Sequence, residues 1–198
     1  DVLAMRLSDK KLMLLTATAE NGSQSFGAAT TLVGVSSDKP YAFMSTAVLS
    51  TMQATNGQNF VDSDATTSDL LAVNLVTGTR TIVGHAAGST NTASNADVKF
   101  LMARGDFVYF TAKDATRLGF TDMDIGKSDV FRQNLLTGEV RLLSHMTDSV
   151  TSAMNGDYLP NSLVVSADQR YVAFTYEVAA GKVGGFTFNQ SGDAILLA

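Results

Sequence analysis

Two acidic loops hold the residue types best suited to chemistry in this chain. Asp62, Asp64 and Asp69 stand in the spacing D-x-D-x-x-x-x-D, and Asp122, Asp124 and Asp129 repeat it sixty positions later. Alternating aspartates in a tight loop can turn several carboxylates inward, and a calcium ion takes roughly six to eight oxygens. Gly126, within Asp122-Met123-Asp124-Ile125-Gly126, supplies a bend of the kind a calcium loop needs, whereas the Asp62 loop has no such glycine. Neither loop is an EF-hand, because the closing glutamate and the flanking helices are missing. A plainer reading stands beside the metal one: the last aspartate of each set caps the incoming strand and the others are solvated turn formers.

Other reactive types are sparse. His85 and His145 occupy the same repeat position, just after an outer strand, and the expected role is a hydrogen bond to the neighbouring loop. With two histidines and no G-x-S-x-G elbow, no Ser-His-Asp arrangement is indicated. Cysteine is absent, which excludes a thiolate nucleophile, a disulfide framework and a cysteine-type zinc site. No phosphate loop, dinucleotide fingerprint or metalloprotease helix is present. No catalytic or cofactor-binding residue is assigned, and a non-enzymatic protein is the favoured reading. Arg104-Gly105-Asp106 spells an adhesion tripeptide, but it falls at a hairpin turn where other repeats carry their own Asp or Gly. Asn21-Gly-Ser23 and Asn189-Gln-Ser191 fit the glycosylation acceptor pattern.

The elements that position these loops follow from the wider repeat. Val61–Gly84 and Thr121–Ser144 match without a gap, sharing Ser68/Ser128, Asn74/Asn134, Leu75/Leu135, Thr77/Thr137 and Gly78/Gly138 as well as the aspartates. A repeat of this length points to stacked supersecondary units. Hairpins turn at Asp9, Asp38, Asp106, Asp168 and Asp193, each joining two strands of branched or aromatic residues, over 2–19, 32–46, 99–112, 163–176 and 186–198. These strands are nearly continuous in apolar residues, which predicts cover on both faces, with Phe43, Tyr109, Phe110, Phe131, Tyr171 and Phe174 in the packing. Each acidic loop is followed by a strand (70–75, 130–135), a Thr-Gly turn and a last strand (79–83, 139–143). A full unit is four antiparallel strands, and the spacing between hairpin turns matches β-propeller blades rather than immunoglobulin domains of about 100 residues.

Ser166-Ala167-Asp168-Gln169-Arg170-Tyr171-Val172-Ala173-Phe174 resembles the S-x-D-G-R-Y-V-A-F hairpin of TolB-like propeller repeats. Ser128-Asp129-Val130-Phe131 with Asn134-Leu135-Leu136-Thr137-Gly138-Glu139 resembles that family's following strand and turn. The chain departs at Gln169, where glycine is usual, and at Asn74 and Asn134, where aspartate is usual. The resemblance covers residues 32–176 and implies a bacterial periplasmic, secreted or cell-surface setting.

The expected fold class is all-β: propeller blades of four antiparallel strands, forming an incomplete ring or a segment of a larger propeller. The blades divide as a partial one at 1–31, full ones at 32–96 and 97–158, and partial material at 159–198. The charge is −5 across 198 residues, which disfavours nucleic acid and anionic membrane as partners, and no apolar run reaches the roughly 20 residues of a membrane helix. The expected function is a scaffold or binding module, calcium-stabilised, contacting protein or glycan through the loops 50–59 and 147–157. The alternatives are a structural subunit that assembles through incomplete blades, and a non-catalytic propeller domain of a hydrolase or lyase.

Overall fold

Runs of branched and aromatic residues cut by Asp, Ser and Gly turns give a chain that is 48% strand and 2% helix, hence all-β. The computed structural model describes all residues except 19–21, 23, 24, 26–28, 48, 51, 55, 56, 65, 147, 179, 180, 184, 185, 189–191 and 198. The Asn and Ser of both glycosylation-type sequons therefore lie outside the described residues. Strands β1 (Leu3–Arg6) and β2 (Lys11–Leu14) form a hairpin. β3 (Thr30–Val35), β4 (Tyr41–Thr46), β5 (Asp69–Asn74) and β6 (Arg80–Val83) form a first antiparallel sheet in chain order. β7 (Lys99–Arg104), β8 (Phe107–Ala112), β9 (Asp129–Asn134) and β10 (Val140–Leu142) form a second in the same order. This up-and-down order is that of propeller blades, and no closed barrel forms among the described residues.

Beyond the second sheet, β11 (His145–Met146) pairs with β12 (Ser149–Ala153). The third sheet is built on a long strand. After β13 (Gly156–Tyr158) and β14 (Val164–Val165) comes β15 (Val172–Val178), to which both pair. β16 (Gly181–Val183) and β17 (Phe186–Phe188) make a separate hairpin, and β18 (Gly192–Leu197) returns to β15. The hairpin expected over 186–198 is therefore not formed. Its two strands pair with different partners, because β15 offers β18 a six-residue antiparallel register.

Apolar layers fill the spaces between successive sheets. Val2 and Leu15 of the first hairpin segment pack with Met44, Leu71, Val73 and Ile82 of the first sheet. Phe43 and Leu70 meet Val98, Phe110 and Phe131 between the first and second sheets. Tyr109 and Val130 meet Phe174 and Tyr176 between the second and third. Phe43 stacks on Phe100 at 4.8 Å and Phe110 on Phe131 at 5.4 Å, pairs each worth about 0.5–1.5 kcal/mol beyond area burial. Cover on both faces holds for β4, β5 and β8 but not for β3, an edge strand that leaves Leu32, Val33 and Val35 exposed although the opposite edge, β6, is largely buried. Tyr171 is likewise no core residue: it sits outside β15 and is 59% exposed. The loops at 50–59 and 147–157 are also more structural than expected. Met52 and Ala54 are buried in the first, and β12 and part of β13 occupy the second.

The first hairpin has a layout that the sequence pattern misassigns. It groups with the hairpins at 32–46 and 99–112, yet its hydrogen bonds copy the outer pair β9–β10. Val2 N–H donates to Thr16 Oγ1 at 3.2 Å and Thr16 Oγ1 to Asp1 at 3.2 Å. In the second sheet, Val130 N–H donates to Ser144 Oγ at 3.0 Å and Ser144 Oγ to Asp129 at 2.7 Å. Lys10 takes the positive φ (57°) that Gly78 (80°) and Gly138 (78°) take at the matching turns. The bridges Ala17–Ser25, His85–Ala93 and His145–Ala153 then follow in step. Residues 1–17 are a third copy of the Asp-led outer hairpin.

Between the first and second sheets, the fully buried Gln133 amide donates to Ile82 O (3.0 Å) and accepts from Gly84 N–H (2.8 Å). Gln133→Leu keeps the volume but strands one buried donor and one buried acceptor, at about 1–3 kcal/mol each. The expected result is a melting temperature lower by roughly 5–15 °C, read by circular dichroism.

Candidate metal centre

The loop between β8 and β9 is held open at both ends. At its start Asp114 caps a single 3₁₀ turn, Ala115–Leu118, which ends at Gly119. Asp122 then accepts from Ala115 N–H through Oδ2 and from Asp124 N–H through Oδ1, both at 3.0 Å. Gly126 has φ 103°, a conformation that side-chain-bearing residues rarely adopt. That turn leaves Asp124 free to face the third sheet, where Gly156 N–H donates to its Oδ2 at 2.6 Å. Asp129, at the head of β9, is fully buried. Its Oδ1 accepts from Ser144 Oγ at 2.7 Å and from the Tyr176 hydroxyl at 2.9 Å.

One oxygen from each of Asp122, Asp124 and Asp129 lies within 4.8 Å of the others. Asp124 Oδ1 and Asp129 Oδ2 are buried and have no hydrogen-bond donor. Burial pushes Asp129 up to about 7, against the Ser144 and Tyr176 donors and with the charges of Asp122 and Asp124 adding to the rise. Burial likewise raises Asp124 to about 6, opposed by the Gly156 N–H and reinforced by Asp122. Desolvation and the adjacent Asp129 raise the Tyr176 hydroxyl, which stays a neutral donor. Three all-oxygen ligands suit a hard cation such as calcium, with waters completing the shell, and offer nothing to a thiophilic metal.

The first copy is not gathered in this way. Asp62 accepts from Leu49 N–H at 3.0 Å and Asp64 N–H at 3.1 Å, while Asp64 accepts from Thr66 N–H, Thr67 N–H and the Thr67 hydroxyl. Burial works against Asp64 ionising, but the Thr67 and Thr66 donors outweigh it and its pKa falls. The cause is Thr66, which stands where the second loop has Gly126: without the left-handed glycine, Asp64 closes a local turn. Asp69 keeps the buried position of Asp129, but Gly84 and Ala112 stand where Ser144 and Tyr176 supply donors, and its Oδ2 has none. Ser144 and Tyr176 are the donors to the acidic cluster that sequence reading overlooks. The mismatch with Gly84 and Ala112 is the signal that could have found them.

The remaining candidates have internal partners. His85 Nε2 lies 2.8 Å from Gly138 O, joining the first sheet's end to the second sheet's turn, and His145 Nδ1 lies 2.7 Å from Met146 O. Arg104 donates to Val165 O (3.1 Å), Gly105 N–H to Asp38 (2.9 Å), and Asp106 pairs with Lys39 at 3.6 Å. The adhesion-like tripeptide thus fastens neighbouring sheets. No family model, curated protein or solved structure matches this chain.

Asp69 generates a pH prediction. Burial, with Asp62 and Asp64 adding to it, raises it to about 7. The folded state therefore retains a proton that the unfolded chain releases near its ordinary value, and stability is lost as pH rises from about 4 through 7. The loss is at most about 4 kcal/mol, from 1.36 kcal/mol for each pKa unit. Asp69→Asn is expected to melt several degrees above the parent at pH 8 and to match it near pH 4; equal melting at both would contradict the buried charge.

Proposed function

We propose that this chain is a non-enzymatic β-propeller scaffold and binding module, TolB-like in its repeats, from a bacterial protein working in the periplasm or outside the cell, and that it is calcium-stabilised. The observation behind the calcium part is the Asp122–Asp124–Asp129 group with its two donorless buried oxygens. A cation there supplies the missing counter-charge, since no ion pair among the described residues reaches these three carboxylates. The scaffold part draws on sheets locked face to face by buried polar bridges, a rigid frame from which edges and loops engage protein or glycan. Calcium is expected to raise the melting temperature over that in EGTA, by about RT ln(1 + [L]/Kd) in free energy. Asp124→Ala should abolish the difference, and an unchanged melting temperature in the parent would exclude the site.

The second reading, a subunit that assembles through a strand edge, is favoured by the first hairpin. Leu3 is 60% and Met5 52% exposed, while their counterparts Leu71 and Phe131, Val73 and Gln133, are buried by the inner strands β4 and β8. Among the described residues β1 pairs with β2 alone, and an apolar strand edge of this kind suits strand addition. Light scattering should then show a concentration-dependent mass that Met5→Lys shifts to monomer; a monomer at all concentrations removes this reading.

A further inference from the structure

The two junctions between sheets are fastened by different chemistry. At the first, Gln133 bridges Ile82 and Gly84, Asp38 accepts from Gly105 N–H, His85 reaches Gly138 O, and Phe43 stacks on Phe100. Each of these contacts is complete within the protein. At the second, Gly156 N–H donates to Asp124, the Tyr176 hydroxyl to Asp129, and Ser128 N–H to Asp157 at 2.8 Å. Four carboxylates, Asp122, Asp124, Asp129 and Asp157, thus meet there, and Lys127 pairs with Asp157 alone, at 3.6 Å.

Comparison of the repeats shows how local this arrangement is. Tyr176 and Ser144 of the second junction, which supply hydroxyl donors, correspond to Ala112 and Gly84 of the first, which have none. Asp129 is fully buried, with Oδ1 pinned by two hydroxyls and Oδ2 without a partner. At the opposite end of the second sheet, Arg104 donates to Val165 O, a contact that needs no ligand. Beyond the shared apolar layer and the Tyr158 N–H to Ser128 O bond (3.0 Å), the third sheet's polar contacts are thus a neutral acceptor at one end and clustered carboxylates at the other.

We propose that a hard divalent cation held by Asp122, Asp124 and Asp129 acts as a clasp for the second junction alone, so that removing it loosens Gly156–Val178 and β18 while the first and second sheets stay docked. This rests on the calcium reading above and adds where its effect is felt. Without the ion, hydrogen bonds from the third sheet must hold desolvated like charges together. With it, the same carboxylates become ligands, and Tyr176 and Gly156 orient them.

The central comparison uses the unmodified chain, and a variant enters only to assign the ligands. Terbium luminescence excited through tyrosine, in a chain without tryptophan, reports occupancy beside Tyr176, and calcium should quench it by displacement. Hydrogen exchange is then compared in saturating calcium and in EGTA. The clasp requires exchange slowed by about tenfold in peptides covering 156–158 and 172–178, with little change over 41–46 and 69–83. If terbium and calcium bind but protection is uniform or absent, the clasp is wrong and the calcium site stands. If sensitised emission is missing and exchange does not respond, the calcium site fails and the clasp with it. Asp124→Asn should remove both signals, and retention of both would overturn the assignment of ligands.

Discussion

A carboxylate at the head of each outer hairpin is the constraint around which this fold is arranged. Asp69 and Asp129 begin strands at sheet junctions and Asp1 stands just ahead of β1; where such a charge is taken out of water it must be given donors, a proton or a counter-ion. The three copies solve the problem differently. Asp1 stays exposed and accepts from Thr16 and Ser25. Asp69 has no donor on its buried oxygen and holds a proton toward neutral pH. Asp129 has two hydroxyl donors on one oxygen and two acidic neighbours. One sequence position thus produces a surface cap, a buried acid and a member of a three-carboxylate cluster.

Around these heads the packing is more uniform. Apolar layers lie between the first hairpin and the first sheet, and between each later pair of sheets. Hydrophobic burial brings the sheets together but has no direction, so it does not fix how one sheet sits on the next. The directional contacts do that: the Gln133 amide, the Asp38 carboxylate and His85 on one side, Tyr176 and Gly156 on the other.

Much of the architecture was legible in the sequence, because strand period, turn residues and the sixty-residue repeat all pointed the same way. Strands β3 to β10 lie within a residue or two of the expected spans, and Gly78 and Gly138 take the positive φ that their turns require. What was hidden depended on long-range partners. The β15–β18 pairing skips an intervening hairpin, and of the two edge strands of the first sheet β6 is buried while β3 is exposed, a difference its apolar text does not show. The kinship of residues 1–17 with the outer hairpins was masked because Lys10 stands where the other copies have glycine. At the acidic loops, the glycine difference at Thr66 and Gly126 was visible in advance. The distant hydroxyls of Ser144 and Tyr176 lie outside the loop and were marked only by the mismatch with Gly84 and Ala112.

Gln133 has a consequence for treating these sheets as interchangeable parts. A carboxamide holds its NH2 donor group and its carbonyl acceptor at fixed separation, so it matches a strand end of one polarity and register. A tandem array made by copying the second sheet would set Gln133 against Leu142 and Ser144 instead of Ile82 and Gly84, and Asp129 against Ala112 instead of Tyr176. The amide would meet a more crowded strand end, and each Asp129 would lose its phenolic donor. The sheets look alike in outline yet carry distinct addresses, and their order along the chain is written in those buried polar side chains.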